Sequence, residues 1–297
     1  MAGIQLRGEP ALSGSVLSGL PARHPAHAAR DHPVGSRVDR QAASERREHA
    51  GSCALSLLQV DHLSKRFGGV VAVDDCTLSI PAGGITGLIG PNGSGKTTIF
   101  NLITGFIPKD QGQITFKSQL IDGLGPDMVY ARGIGRTFQL ARIFPRLTAL
   151  ENLLVPIRRR GLRALFSSAG FSHERSKAME MLEFLEIAHV ADALGGSLSY
   201  GQRKLLELGA VMMAEPELVL LDEPAGGVNP ALLERIADRL RTLNSRGTTF
   251  LIVEHNMSFV MNLCSEVIVV QRGRQIASGK PDAVRSDPAV LDAYLGA

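Results

Sequence analysis

Ile85-Thr86-Gly87-Leu88-Ile89-Gly90-Pro91-Asn92-Gly93-Ser94-Gly95-Lys96-Thr97-Thr98 runs from a short β-type apolar stretch through a glycine-rich loop into a helix-like segment, Thr98 to Ile103. Gly90 to Thr97 fits G-x-x-x-x-G-K-[ST], and a strand before with a helix after is the context that pattern requires. Glycines let successive backbone N–H groups turn inward around phosphate oxygens, and the helix N-terminus adds its dipole. Lys96 is placed to reach β- and γ-phosphates, and the Thr97 hydroxyl to ligate Mg²⁺. The bare pattern arises by chance in roughly one chain of this length in a hundred. Gly90, Pro91, Asn92, Gly93, Ser94, Gly95, Lys96, Thr97 and Thr98 are therefore read as a loop for ATP·Mg²⁺.

A second element suits the same chemistry. Leu218-Val219-Leu220-Leu221-Asp222-Glu223 is an apolar run, consistent with a buried strand, that ends in two adjacent carboxylates. Asp222 can hold the Mg²⁺ shell, while Glu223 can polarise an attacking water as general base. Alone, the pair would read as a strand ending at a solvated acidic turn; beside a phosphate loop it reads as its partner.

Composition sets the frame. With 297 residues, 44% of them hydrophobic, the chain can bury a substantial core. A formal net charge of +3 is too small to announce a nucleic-acid binder. Cys53, Cys76 and Cys264 are odd in number and lack C-x-x-C spacing, which predicts free thiols in a reducing compartment. No apolar run approaches the roughly 18 to 20 residues that span a bilayer. Met1 to Leu20 lacks the continuous apolar core of a signal peptide, so export is not expected.

Residues 1–54, rich in Ala, Arg, His, Ser and Pro without periodicity, are expected to form a disordered extension. β-type runs follow at Leu57 to His62, Val70 to Ile80, Ile85 to Ile89 and Gln113 to Phe116. The stretch from about Thr148 to Leu194 reads helical. Strand signals resume at Leu218 to Leu221, Thr249 to Val253 and Val267 to Val270, separated by the helix-like Ala231 to Leu243, which implies βαβ units and a parallel sheet. Arg272-Gly273-Arg274 reads as a hairpin turn.

Leu198-Ser199-Tyr200-Gly201-Gln202, ahead of the helix-like Arg203 to Ala214, resembles the L-S-G-G-Q signature of ABC-type ATPases, with Tyr200 in the third position. Taken alone it reads as a serine-capped helix start. Its place upstream of the Asp-Glu strand follows that family's order, and the likeness runs from about Leu57 to Leu295. The resemblance implies an α/β fold of the P-loop NTPase class: an ABC-type nucleotide-binding domain over 55–297, with a RecA-like core, an antiparallel β subdomain and an inserted helical subdomain at about 140–205. It implies ATP and Mg²⁺ as ligands. It also implies that Ser199, Tyr200, Gly201 and Gln202 serve the ATP of a second cassette, so that two chains sandwich two nucleotides. Residue by residue, Phe67 matches the aromatic that stacks on adenine. Gln139 matches the glutamine that senses γ-phosphate and Mg²⁺, and His255 the switch histidine beside Glu223 and the attacking water.

One departure stands out. After Glu223-Pro224 the family usually carries an Asp in the loop crossing the dimer, whereas Asn229 occupies that place here. Asparagine hydrogen-bonds without charge, which leaves communication between the two sites in question and ATP binding untouched. The loop Ala225-Gly226-Gly227-Val228-Asn229-Pro230 resembles that of ATPase subunits of branched-chain amino acid importers. So do Phe67 to Val73, Arg136-Thr137-Phe138-Gln139, Leu150 to Val155 and Ala293-Tyr294-Leu295-Gly296. That likeness implies an ATPase on the cytoplasmic face of the inner membrane, held there by permease subunits and served indirectly by a substrate-binding protein. Residues 140 to 152 would receive a permease helix, and no nucleic acid is expected as partner. Arg158-Arg159-Arg160 reads as a solvated face. Lipopolysaccharide-export ATPases have similar single cassettes; ABC ATPases of DNA repair and translation are a rival class, but their paired cassettes, long coiled coils and zinc motifs are missing from this sequence.

Overall fold

The computed structural model describes residues 56–138, 142–157 and 168–295. The readings made for 1–54, Gln139, the start of the 140–152 segment, Arg158-Arg159-Arg160 and Gly296 lie outside them. Strands β1 (Ser56–Phe67), β2 (Val70–Pro81), β4 (Gln111–Phe116) and β5 (Gln119–Leu120) form an antiparallel sheet in the order β2-β1-β4-β5. A second sheet has the order β10-β9-β3-β8-β7-β6, from β3 (Ile85–Ile89), β6 (Ile134–Arg136), β7 (Leu218–Asp222), β8 (Thr249–Val253), β9 (Glu266–Gln271) and β10 (Arg274–Gly279). All its pairings are parallel except β9 with β10, which the predicted 272–273 turn joins as a hairpin.

The helices are α1 (Lys96–Ile103), α2 (Pro126–Ala131), α3 (Ala149–Leu154), α4 (Ser168–Phe184), α5 (Tyr200–Met212), α6 (Pro230–Ser245), α7 (Met257–Leu263), α8 (Pro281–Arg285) and α9 (Pro288–Leu295). Strand readings at 85–89 and 249–253 match residue for residue, and most others fall within two residues of the observed ends. β6 and the two C-terminal helices were not anticipated: three residues carry no periodicity, and α8 and α9 start at prolines that read as turns.

β3, β7 and β8 are buried at every residue because both faces of their sheet are covered. Val219, Leu221, Phe250, Ile252, Val267 and Val269 face a core shared with α3, α5, α6 and α7. Their neighbours Leu218, Leu220, Leu251, Val253, Ile268 and Val270 face another, packed against α1 and the antiparallel sheet. Period-two alternation thus divides one continuous apolar run between two cores.

The segment before α3 is held by one buried amide. Asn152 Oδ1 accepts from the Phe144 N–H at 2.7 Å, and Nδ2 donates to the carbonyls of Phe144, Leu147 and Thr148 at 3.1, 3.3 and 2.9 Å. Thr148 and Glu151 close a capping box at the helix start. Because truncation would strand buried backbone groups, Asn152→Ala is expected to cost about 1–3 kcal/mol, read as a lower urea midpoint.

Cys76 and Cys264 are free and buried, and burial pushes their thiols up to about 11 and about 12. Neither should be alkylated by iodoacetamide at pH 8 without denaturant, and both should be once the chain is unfolded, as peptide mass spectrometry would show. With the folded pKa above the unfolded one, their contribution to stability is complete below about pH 9 and is lost as pH rises through the folded values.

Candidate nucleotide site

Four adjacent strands deliver the candidate residues at their carboxyl ends. The phosphate loop follows β3, Glu254 and His255 follow β8, Asp222 and Glu223 close β7, and Arg136 ends β6. Segments as far apart in sequence as Gly90 and His255 are thereby neighbours along one sheet edge, where ligands of parallel α/β folds bind.

The loop is fixed by its backbone. Gly90 has φ +151°, and a Cβ there would lie 2.0 Å from the Val270 carbonyl oxygen; at Gly95, φ +104°, it would lie 2.4 Å from that of Ala72. Only glycine fits either place. Gly273 of the β9–β10 turn donates its N–H to the Ser94 carbonyl at 2.9 Å and accepts from the Asp74 N–H at 3.0 Å, tying the loop to β2. Tyr294 of α9 reaches the Gly90 backbone, and burial pushes its hydroxyl up to about 12. α1 begins at Gly95 without a side-chain cap, which leaves its first N–H groups to other acceptors. Lys96 Nζ donates to the Gly90 and Pro91 carbonyls at 2.8 and 2.9 Å and to Ser94 Oγ at 3.3 Å. Burial lowers its pKa, against which Glu223 and Asp222 pull it up.

Asp222 is 8% exposed, and burial raises its pKa although the Arg136 guanidinium, 3.2 Å away, opposes that shift. Glu223 leaves the strand in the left-handed region at φ +49°, with its N–H on the Val253 carbonyl at 2.9 Å. This is a costly backbone for glutamate, and it turns the chain sharply just after Asp222. His255 is 64% exposed, and its Nδ1 lies 3.8 Å from Glu223 Oε1. A residue that ties their two loops together was missed by sequence reading. Glu254, fully buried, accepts from the Ala225 N–H at 2.6 Å and from the His255 and Asn256 N–H groups at 3.0 and 3.2 Å, so one carboxylate binds the loop after Glu223 to the turn bearing His255.

Thr97 and Asp222 offer a hydroxyl and a carboxylate, the hard oxygens that suit Mg²⁺ shared with phosphates. Among the described residues no group of three or more His, Cys, Asp or Glu could hold a metal by protein donors alone. Phe67 ends β1 half-exposed, with Lys65 Nζ 5.5 Å from its ring centre.

The signature residues are held elsewhere. Ser199 caps α5 in a reciprocal box with Gln202, and Gln202 Nε2 lies 3.5 Å from His189 Nε2. The Tyr200 hydroxyl donates to the Gly226 carbonyl at 2.8 Å, and its ring covers Gly227, where a Cβ would be 3.2 Å away. A Cβ at Gly201 would meet Leu232 at 2.4 Å. Asn229 caps α6 by accepting from the Leu232 N–H at 2.9 Å. Further along α5, Glu207 accepts from the N–H groups of Phe138 and Arg142 at 3.1 and 3.2 Å, gripping the chain on both sides of the segment that holds Gln139. Burial raises the Glu207 pKa. Glu207 reads as a polar interruption of a helical face, which is the signal sequence analysis passed over.

Comparison with known proteins adds the relatives. The family model described as ABC transporter matches residues 73–226, and one described as branched-chain amino acid ATP-binding cassette transporter matches 274–297. A probable branched-chain amino acid transport ATP-binding protein of Methanocaldococcus jannaschii is 38% identical over 82% of this chain and 98% of its own length. High-affinity branched-chain amino acid transport ATP-binding proteins of Pseudomonas aeruginosa and Escherichia coli are each 37% identical over 81% of this chain and 98% of theirs. A solved nucleotide-free ATP-binding cassette from an ABC transporter superposes with a TM-score of 0.73 at 36% identity, covering 82% of this chain and all of the other. Sequence motifs, strand-end geometry and these matches converge: the chain belongs to the ABC transporter family, as one of its ATPase cassettes.

Proposed function

We propose that the chain is the ATP-hydrolysing subunit of a membrane importer of branched-chain or related amino acids. The observation that carries the chemistry is the sheet edge at which Lys96, Asp222, Glu223 and His255 meet. The substrate class follows the relatives, which match over nearly their whole length.

In this reading the 90–98 backbone and Lys96 bind the phosphates, and Phe67 stacks on adenine. Thr97 and Asp222, with Gln139, would hold Mg²⁺, which neutralises charge on the β- and γ-phosphoryl oxygens. Glu223 takes a proton from the attacking water at a carboxylate oxygen, and His255 Nδ1 orients that carboxylate from 3.8 Å. Ser199, Tyr200, Gly201 and Gln202 serve the nucleotide of a second cassette, identical or related, in a head-to-tail pair. Closure on ATP and reopening after hydrolysis move the 140–205 region against the permease, with exposed Phe144 on the docking side. Among the described residues no helix is long and apolar enough to cross a membrane, so permease subunits would hold the cassette at the cytoplasmic face of the inner membrane, and a substrate-binding protein would supply the cargo.

Two substitutions test the roles. Lys96→Ala should abolish ATP hydrolysis by loss of phosphate binding. Glu223→Gln should slow turnover by about 10²–10⁴-fold while keeping ATP bound and the cassettes paired, as seen by phosphate release and size-exclusion chromatography with ATP. Normal turnover in Glu223→Gln would remove Glu223 as the base. Reconstitution of the copurified complex, with ATPase activity measured across amino acids, tests the cargo: no stimulation by any amino acid would refute the assignment.

A further inference from the structure

The Arg136 guanidinium joins parts of the site that lie far apart in sequence. Nη1 donates to Asn101 Oδ1 at 2.7 Å and Thr104 Oγ1 at 3.0 Å, and Nη2 to Asp222 Oδ2 at 3.2 Å. Asn101 stands four residues after Thr97 on α1, so the two share a helix face. One planar group therefore spans the helix that carries the Thr97 hydroxyl and the strand end that carries the Asp222 carboxylate.

Its surroundings are apolar. The rings of Phe100, Phe106 and Phe138 enclose it, with centres 5.6, 5.5 and 5.0 Å from Cζ, and the side chain is 6% exposed. Among the described residues Nε has no hydrogen-bond partner. Stability alone does not account for such a residue. A buried ion pair is often no better than apolar packing of the same volume, and an unmet buried donor costs free energy. What the guanidinium does impose is a fixed distance between three acceptors on two elements, in a fork that lysine cannot reproduce.

We propose that Arg136 is a positioning residue for the divalent cation: by gripping α1 and Asp222 together it sets the separation of Thr97 and Asp222 across which the metal–nucleotide complex is held. This rests on the ATP·Mg²⁺ reading given above. With Oδ2 of Asp222 held by Arg136, Oδ1 would be the oxygen left to face a bound metal. Carboxylate ligands of metals are commonly oriented by such an outer partner. Phe138, packed on the same guanidinium, immediately precedes Gln139, so the entry to that segment is registered against the same group.

The test is equilibrium binding of a fluorescent ADP analogue, MANT-ADP, to the full chain, first in EDTA and then through a Mg²⁺ titration. The unsubstituted chain should bind more tightly with Mg²⁺; if it does not, the Mg²⁺ assignment itself fails and the inference with it. Arg136→Lys keeps the charge and is expected to weaken the apparent Mg²⁺ affinity by about 10–100-fold with nucleotide affinity in EDTA unchanged. An unaltered Mg²⁺ affinity, or an equal loss in EDTA and in Mg²⁺, would overturn the proposal, the latter marking a merely structural role. Asn101→Ala removes an acceptor on α1 and leaves Arg136 and Asp222 in place. It should weaken Mg²⁺ in the same direction by a smaller factor, and if Arg136→Lys fails to fold, an Asn101→Ala chain with full Mg²⁺ affinity overturns the proposal.

Discussion

Two-sided burial of the central strands is the constraint from which the rest follows. β3, β8 and β7 lie between two separate cores, so a polar group placed along them has nowhere to be solvated. Polar chemistry can emerge only where each strand ends. Because the strands are parallel, their ends fall along one edge, and residues as distant in sequence as Gly90, Asp222 and His255 become neighbours without any long excursion of the chain.

The same edge collects the structure's departures from local preference. Gly90 and Gly95 take paths closed to any side chain, Glu223 sits in the left-handed region, and Lys96 and Asp222 are both desolvated against the ordinary preference of their charges. Each is offset by something nearby: the Gly273 turn braces the loop, Val253 receives the Glu223 N–H, and Arg136 counters the burial of Asp222. Local rules broken in one place and compensated around it are what a site for a charged, tightly held ligand produces.

Much of this was legible in the sequence where a pattern carries its own physics. Gly90 to Thr97 specifies a turn, a charge and a hydroxyl at fixed spacing, and Leu218 to Glu223 specifies a buried strand with an acidic end. The reading of Ser199 as a helix start is met by its capping box with Gln202. What the sequence did not reveal acts across space through groups with no local pattern. Glu254 looks like a strand-end carboxylate, yet it organises two loops from full burial. Arg136 looks like one more basic residue before Thr137, and only its place among Phe100, Phe106, Phe138 and Asp222 gives it meaning. β6 and the C-terminal helices were missed for want of length or periodicity, although Tyr294 of the last helix abuts Gly90.

The contact between Tyr200 and the Gly226-Gly227 loop bears on how freely pieces of such cassettes can be exchanged. The tyrosine in the third signature position meets two features of the loop after Glu223: a carbonyl that accepts its hydroxyl, and a glycine beneath its ring. Side chain and loop are thus a lock and its matching key within one chain. A chimera that imports a bulkier residue at 227 must move the Tyr200 ring by a few tenths of an ångström and strains a backbone at φ +71°, and one with glycine at position 200 loses the hydrogen bond to the loop. Exchanging the signature pentapeptide without the 224–229 loop therefore breaks a contact that crosses 26 residues of sequence.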